Sequence, residues 1–545
     1  MSRGEFVCFL ACLIPIAILP WGVDYWPSQD DPNHLALAHI FQHFDSPGTP
    51  FRQFFEILPW PKPYMLQYYL LVGLGWFVDL PTAGRILISS VNVALPLSAL
   101  FLVRRIAPER WRAAILTIPL GTGGIVSMGF LNCTIGIALG LVAIGVVWGR
   151  PGGGRSDSPA AASPAALLGA SGLLFLAMLA HPFAAAIAGF ALVLLELQGL
   201  GERRTWFSLA VVGLPSILLF LIPGVATAEG APSSALRVPS PRIVCPALVS
   251  YPPVCPALSI DVLARGAHAT LLPIVRGSPK VSRWDSWFFL AAAALLLLGN
   301  ARSLWKGPFH GSTRDAALRR AFLGLLFLYL VLPEHIPGKI YDLPDRGLLF
   351  FQLTWPLLCV LPRGIAGSRH LFPVALAIGL GFLAVQYPVA LKVSDRIAKI
   401  VKVGAAIPRG AKLFPLSFDD YEPTAGLIVT RHAWGYIVID RDAVTPYLFA
   451  GQSGNGIQDI FRPLTYARPF GDDWLPFIPE SNLSPEDYSS VVDVGKHYDA
   501  VLVVAPPAPL LEMLKSDFRL VVSEDDIWLF TPVTLAQQAE SQISN

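Results

Sequence analysis

Apolar runs of 15 to 21 residues, separated by short polar turns, fill the first 390 positions of the chain. A bilayer-spanning helix needs roughly 20 mostly apolar residues. The pattern predicts spans at 5–23, 83–103, 113–128, 131–148, 165–180, 183–198, 207–225, 286–300, 319–333, 347–362 and 370–390. Several are short of the roughly 20 residues of a full crossing, so their ends are set only to within several residues. Residues 64–80 are also apolar but carry Tyr64, Gln67, Tyr68, Tyr69, Trp76 and Asp79. Amphipathic aromatics favour the headgroup layer, so this stretch is expected to be a juxtamembrane helix. The first apolar segment has no small-residue cleavage site clearly placed after it and is expected to stay as a membrane helix.

Alternation through these spans sorts the turns into two sets. Residues 1–4, 104–112, 149–164, 199–206, 301–318 and 363–369 share one side and hold Arg104, Arg105, Arg110, Arg112, Arg203, Arg204, Arg302, Lys306 and Arg314. The opposite short turns around Gly129 and His181 hold no such cluster. The positive-inside rule therefore puts the N-terminus inside and Asp30 and Asp31 outside. Counting 64–80 as a crossing would reverse this and place Arg104 to Arg112 outside. The outer segments are then a first loop over 24–82, a Pro-rich loop over 226–284, a polar loop over 334–346 and the tail.

The period changes after residue 390. Tyr436-Ile-Val-Ile alternates with polar neighbours and predicts a strand; Ala500-Val-Leu-Val-Val-Ala predicts a buried one, ended by Pro506-Pro507. A helix is expected over 510–515, then a hairpin from Phe518-Arg-Leu-Val-Val and Ile527-Trp-Leu-Phe-Thr. The predicted fold class is an α-helical polytopic membrane bundle, about eleven transmembrane helices plus juxtamembrane helices, over 1–390. A small extracytoplasmic α/β domain over 391–545 completes it.

Composition agrees: 54% of residues are hydrophobic and 14% charged, with a mean hydropathy of +0.55, against about 25% charged in soluble domains. The net charge of +2 and the absence of a Lys/Arg block give no support to a nucleic-acid partner. Cys8, Cys12, Cys133 and Cys359 lie in apolar runs, whereas Cys245 and Cys255 repeat as Cys-Pro-Ala-Leu in an outer loop and could pair in an oxidising compartment. There is no P-loop, GxGxxG fingerprint, Ser-His-Asp order or paired CxxC. Gly136 and Gly140, near Asn132, suit close helix packing.

Candidate chemistry concentrates where the chain leaves the first span. Asp30 and Asp31 stand side by side, Pro32 suits the first helical position, and His34 follows in the first turn. Asp31 would be the N-cap, leaving Asp30 without a capping duty. Carboxylates can deprotonate a hydroxyl nucleophile or hold a divalent cation such as magnesium or manganese, and Arg or Lys can neutralise a phosphate. The basic candidates on the same face are Arg346, Lys339, His335 and Lys62, with Glu334, Asp342 and Asp345 nearby. His39 and His43 sit four apart but lack a third ligand nearby in sequence.

The layout resembles the GT-C class of polytopic glycosyltransferases. The resemblance rests on Asp30-Asp31-Pro-Asn-His34, on Trp60-Pro-Lys-Pro-Tyr64-Met-Leu-Gln-Tyr-Tyr69, on Arg104-Arg105 closing a span, on Gly129-Phe-Leu-Asn132, and on Asp345-Arg346-Gly-Leu-Leu-Phe-Phe. It implies a polyprenyl-phosphate-linked sugar donor, a lipid, glycan or protein acceptor, and a bacterial inner-membrane location with the tail extracytoplasmic. It implies an inverting displacement in which Asp30 or Asp31 serves as base, assisted by His34. Arg346, with Lys339, His335 or Lys62, would meet the lipid phosphate. Two other classes remain open: a lipid-linked-sugar transporter, which would be expected to show inverted repeats, and a non-catalytic cell-envelope assembly protein in which the acids are dispensable.

Overall fold

The computed structural model describes residues 1–57, 62–148, 163–197, 203–221, 313–331, 343–357, 371–418, 430–445, 447–448, 457–459 and 485–533. The expected span at 286–300, the loop with Cys245 and Cys255, and His335, Lys339, Glu334 and Asp342 lie outside them.

Helices of the bundle are α1 (Arg3–Ile18), α2 (Asp31–His43), α3 (Leu66–Gly75), α4 (Leu80–Ile106), α5 (Leu131–Trp148), α6 (Pro164–Ala180), α7 (Pro182–Glu196), α8 (Arg203–Leu221), α9 (Thr313–Val331), α10 (Leu343–Thr354) and α11 (Leu371–Gly404). Among the described residues, Arg3–Trp21, Leu80–Ile106 and Leu131–Trp148 are long and apolar enough to cross a membrane; Pro164–Ala180 and Pro182–Glu196 are shorter apolar helices. Where residues 113–128 predict an α-helix, the chain winds as a 3-10 stretch over Pro108–Thr122, followed by a single turn at Gly124–Ser127. Its tighter rise of about 2 Å per residue lets the stretch cover roughly 30 Å, a bilayer core. Pro108, Pro119 and Gly121 favour this path. A Cβ on Gly121 would lie 2.3 Å from the Asn92 carbonyl oxygen, so the backbone rests directly on α4.

Small residues set the other close approaches. A Cβ on Gly136 would come within 2.8 Å of the Ala184 Cβ, and one on Gly140 within 2.7 Å of the Ala188 Cβ. Thus α5 and α7 touch through the predicted glycine stripe. At the end of the bundle assigned to the inner side, Arg112 pairs with Glu5 (2.7 Å) and Arg110 with Asp315 (3.0 Å). These bonds gather the starts of α1, of the 3-10 stretch and of α9. At the end of α3, the stretch expected to be juxtamembrane, Trp76 and Phe77 are 73% and 84% exposed.

Helix α11 is 34 residues long and so runs about 51 Å, beyond a bilayer core. The expected boundary at 390 falls inside it. Beyond it, β2 (Leu413–Ser417), β4 (Ala500–Val504), β5 (Phe518–Glu524) and β6 (Ile527–Pro532) form a sheet in the order β2-β4-β6-β5. The first pair is parallel and the others antiparallel. Strand β4 is buried throughout, and α14 (Ala508–Asp517) and the β5–β6 hairpin follow as its sequence predicts. Helix α13 (Pro485–Gly495) precedes β4. A short pair joins β1 (Phe55–Ile57) of the first outer loop to β3 (Ile457–Asp459) of the tail.

Residues 436–439, expected as a strand, lie in helix α12 (Gly435–Arg441). Its Gly435, Tyr436, Ile437 and Val438 are all buried. Burial on every side removes the solvent face that an alternating strand would need, and tertiary packing overrides the local pattern.

Candidate active site

The acidic couplet is placed by a turn of the bundle, not by its own helix. The Gln29 N–H donates to the Ser127 carbonyl and the Asp30 N–H to the Met128 carbonyl, both at 3.1 Å. The turn closes at Gly129, whose φ of +85° suits glycine. A Cβ there would sit 2.8 Å from the Asp31 nitrogen and 2.9 Å from the Asp30 nitrogen. On the other side, Gly435 opens α12 so tightly against α2 that a Cβ would lie 2.2 Å from the Pro32 carbonyl oxygen. The couplet is therefore held between the Gly129 turn and a helix of the tail.

Asp30, not Asp31, occupies the N-cap position of α2, and its side chain makes no capping hydrogen bond. Its Oδ1 lies 3.4 Å from Nε2 of His432 and accepts from the Gln29 side-chain amide at 3.4 Å instead. Asp31 is 5% exposed, and both its carboxylate oxygens are buried without a hydrogen-bond partner among the described residues. Burial pushes its carboxyl up to about 7, against the Ser28 hydroxyl, which favours the charged form, and with the Asp30 charge, which acts in the same direction as burial. Burial also works against ionised Asp30, but the His432 bond and the electrostatic pull of His432, His34 and Arg431, the histidines acting as they take up protons at low pH, outweigh it and hold that carboxyl below its usual value. Two adjacent carboxylates thus have separated titrations, the arrangement by which enzymes assign distinct proton-transfer roles.

The wall around them is polar and paired. Nδ1 of His34 lies 2.8 Å from the Tyr68 hydroxyl on α3. Burial drives the His34 imidazole down to about 4, so it is neutral at ordinary pH. The same imidazole is within electrostatic reach of Asp30, His432 and Arg346 at once. The Gln67 side-chain oxygen accepts from the Asn132 N–H at 3.1 Å, pinning α3 to the start of α5.

Arg346 opens α10 and is 8% exposed. It donates to Nε2 of His181, the residue between α6 and α7. Its guanidinium lies 3.9 Å from the centre of the Phe130 ring, next to the Gly129 turn. The ring of Tyr64 meets His181 edge-on at 4.8 Å. No carboxylate pairs with Arg346 among the described residues. A buried cation with neutral neighbours suits a ligand that brings its own negative charge.

The structure thus brings together Asp30, Asp31, His34 and Arg346. Lys62 is half-buried before α3 and makes no ion pair among the described residues. Nε2 of His39 donates to the Asp442 carboxylate at 2.9 Å, with the His43 ring 4.6 Å away. No group of three His, Cys, Asp or Glu side chains able to hold a metal occurs among the described residues. The free oxygens of Asp31 could give a cation one carboxylate, short of a protein-supplied ligand set. Sequence reasoning missed His432 and gave no site role to Asn33, Tyr68, Gln67 or His181. Only the Arg431-His432-Ala-Trp cluster carried any signal, a pair of ionisable groups beside buried aromatics.

No protein-family model and no curated protein matches this chain. Among solved structures, it is similar to ArnT from Cupriavidus metallidurans in the apo state, with 11% identity, 97% of each chain covered and a TM-score of 0.52. It is also similar to ArnT from the same organism bound to undecaprenyl phosphate, with 12% identity, 97% of this chain and 98% of that one covered, and a TM-score of 0.50. The Archaeoglobus fulgidus oligosaccharyltransferase in the apo form matches at 13% identity and a TM-score of 0.41, over 81% of this chain and 65% of that one. The fold is GT-C-like, that of a polytopic membrane protein.

Proposed function

We propose that this protein is a membrane glycosyltransferase that moves a sugar from a polyprenyl-phosphate donor to an acceptor hydroxyl at the outer face of a bacterial inner membrane. The observation that carries this reading is Asp31: a buried carboxylate whose two oxygens have no close partner among the described residues and whose titration is raised to about 7, in the same polar wall as a buried arginine with no counter-ion among those residues. The ArnT fold supports it, since one of those structures holds undecaprenyl phosphate.

In the proposed reaction the acceptor O–H gives its proton to the Asp31 carboxylate. The freed oxygen forms a bond to the anomeric carbon from the face opposite the phosphate, so the configuration inverts. The bond between that carbon and the phosphate oxygen breaks, and the lipid phosphate leaves with the electron pair. Arg346, oriented by His181 and the Phe130 face, stabilises the charge that develops there. His34, neutral and bonded to Tyr68, shapes the polar wall. No step is routed through a metal. The lipid tail stays in the bilayer, which is why a membrane bundle suits such a donor.

Membranes containing the full chain, supplied with a panel of radiolabelled undecaprenyl-phosphate sugars, test the proposal. Transfer of label, lost in Asp31→Asn and strongly reduced in Arg346→Gln, is expected. Full transfer in both variants removes the proposed roles. Movement of the donor between leaflets without transfer favours a transporter instead. Activity unchanged by EDTA is expected, and loss restored by magnesium or manganese would give Asp30 and Asp31 a cation to hold.

A further inference from the structure

Asn33 and His432 settle each other's orientation. The Asn33 Nδ2 atom lies 3.1 Å from the Tyr447 carbonyl oxygen. A carbonyl only accepts, so this atom belongs to the amide NH2. The same NH2 lies 3.3 Å from Nδ1 of His432 and can only donate to it. Nδ1 therefore accepts, the neutral imidazole carries its proton on Nε2, and that N–H faces Asp30 Oδ1 at 3.4 Å. His432 is 1% exposed, with the Trp434 ring edge-on at 5.5 Å.

We propose that His432 is a positioning residue: in a tautomer fixed by Asn33 and the Tyr447 carbonyl, it engages Asp30 and leaves Asp31 as the carboxylate with free oxygens. The two acids are neighbours in sequence; besides the Gln29 amide, which donates to the same Asp30 oxygen at 3.4 Å, the group that distinguishes them comes from some 400 residues away, in the tail. Without the Nε2–H, Asp30 would lose its largest stabilising partner and the coupled titrations of the pair would draw closer together. Burial also keeps the imidazole below its ordinary value against the pull of Asp30, which fits a neutral donor. The charged and titratable groups facing His432 are Asp30, Arg431 and His34. The catalytic consequence rests on the glycosyl-transfer reading; the hydrogen-bonded arrangement does not.

The test uses the full chain in lipid nanodiscs with nitrogen-15-labelled histidine. His432 is one of 10 histidines, and its signals are assigned by their loss in His432→Gln. At pH 7.5 the expected spectrum shows an unprotonated Nδ1 and a protonated Nε2. Asn33→Leu should yield a mixture of tautomers, and Asp30→Asn should move the Nε2 signal while leaving Nδ1 unprotonated. A wild-type Nδ1–H tautomer or a doubly protonated ring overturns the proposal, with no variant needed. In the transfer assay, His432→Leu should lower the rate about 10- to 100-fold, and His432→Gln, which keeps an N–H donor, should recover most of it. In an Asp30→Asn background, His432→Leu should cost less than about twofold more. Full additivity would show that His432 does not act through Asp30. If the wild type transfers no sugar, the glycosyltransferase reading fails and the nitrogen spectrum still decides the His432 assignment.

Discussion

At the scale of single residues, Asp31 joins function to a cost in stability. A carboxyl whose folded titration is raised to about 7 stays protonated in the fold while its unfolded counterpart, near 3.9, has ionised. The unfolded state then binds fewer protons, so stability falls as pH rises from about 4 to about 7 and is level above that. The accumulated penalty is on the order of 4 kcal/mol at pH 8 for a group this buried. Asp31→Asn should therefore unfold at a higher temperature than the wild type at pH 8, with the gap closing towards pH 4, as thermal denaturation in detergent would show. The same variant should lose sugar transfer by about 10²- to 10⁴-fold, the usual worth of a general base. Wild-type transfer should rise with pH through about 7 as Asp31 loses its proton. Arg346→Gln should cost about 10²- to 10³-fold in transfer, read as donor turnover in membranes. Asp30, Asp31 and Arg346 were legible in the sequence because ionisable groups at a membrane surface stand out against apolar runs. His432 was not, because nothing next to it in sequence tells that its ring faces Asp30.

At the scale of elements, the glycine turn and the tail helix decide where the couplet sits. Gly129→Ala would place a methyl group 2.8 Å from the Asp31 nitrogen at a φ of +85°, both a clash and a strained backbone. A loss of about 1–3 kcal/mol is expected, seen as a lower unfolding temperature together with reduced transfer. Gly435→Ala would press a methyl group onto the Pro32 carbonyl oxygen at 2.2 Å. It should reduce transfer while leaving the bundle helical by circular dichroism. The helices over 131–148 and 165–196 and the β5–β6 hairpin follow their sequence patterns because long apolar runs and a short turn between β-forming residues already specify them locally. Residues 436–439 and 113–128 depart from theirs because the first turn of α12, Gly435 to Val438, is buried all round, and because proline and glycine let the 3-10 stretch lie flat on α4.

At the scale of the whole molecule, α11 carries the tail sheet on a continuous rod. Arg396 pairs with Asp526, Lys399 with Asp525 at 2.9 Å and Lys402 with Glu524 at 2.9 Å, so one face of the rod meets the β5–β6 turn. Replacing Arg396, Lys399 and Lys402 together by Ala should speed hydrogen exchange in 518–532 without changing exchange in α5. Hydropathy and charge asymmetry, read along the chain, were enough to establish a membrane bundle, which end holds the arginines and which turn holds the acids. Those are properties of each segment's own solvent preference. Tertiary structure alone decided that Asp30 is engaged and Asp31 free, and that His181 orients Arg346. Such pairings depend on contacts between residues hundreds of positions apart, and no local pattern encodes them.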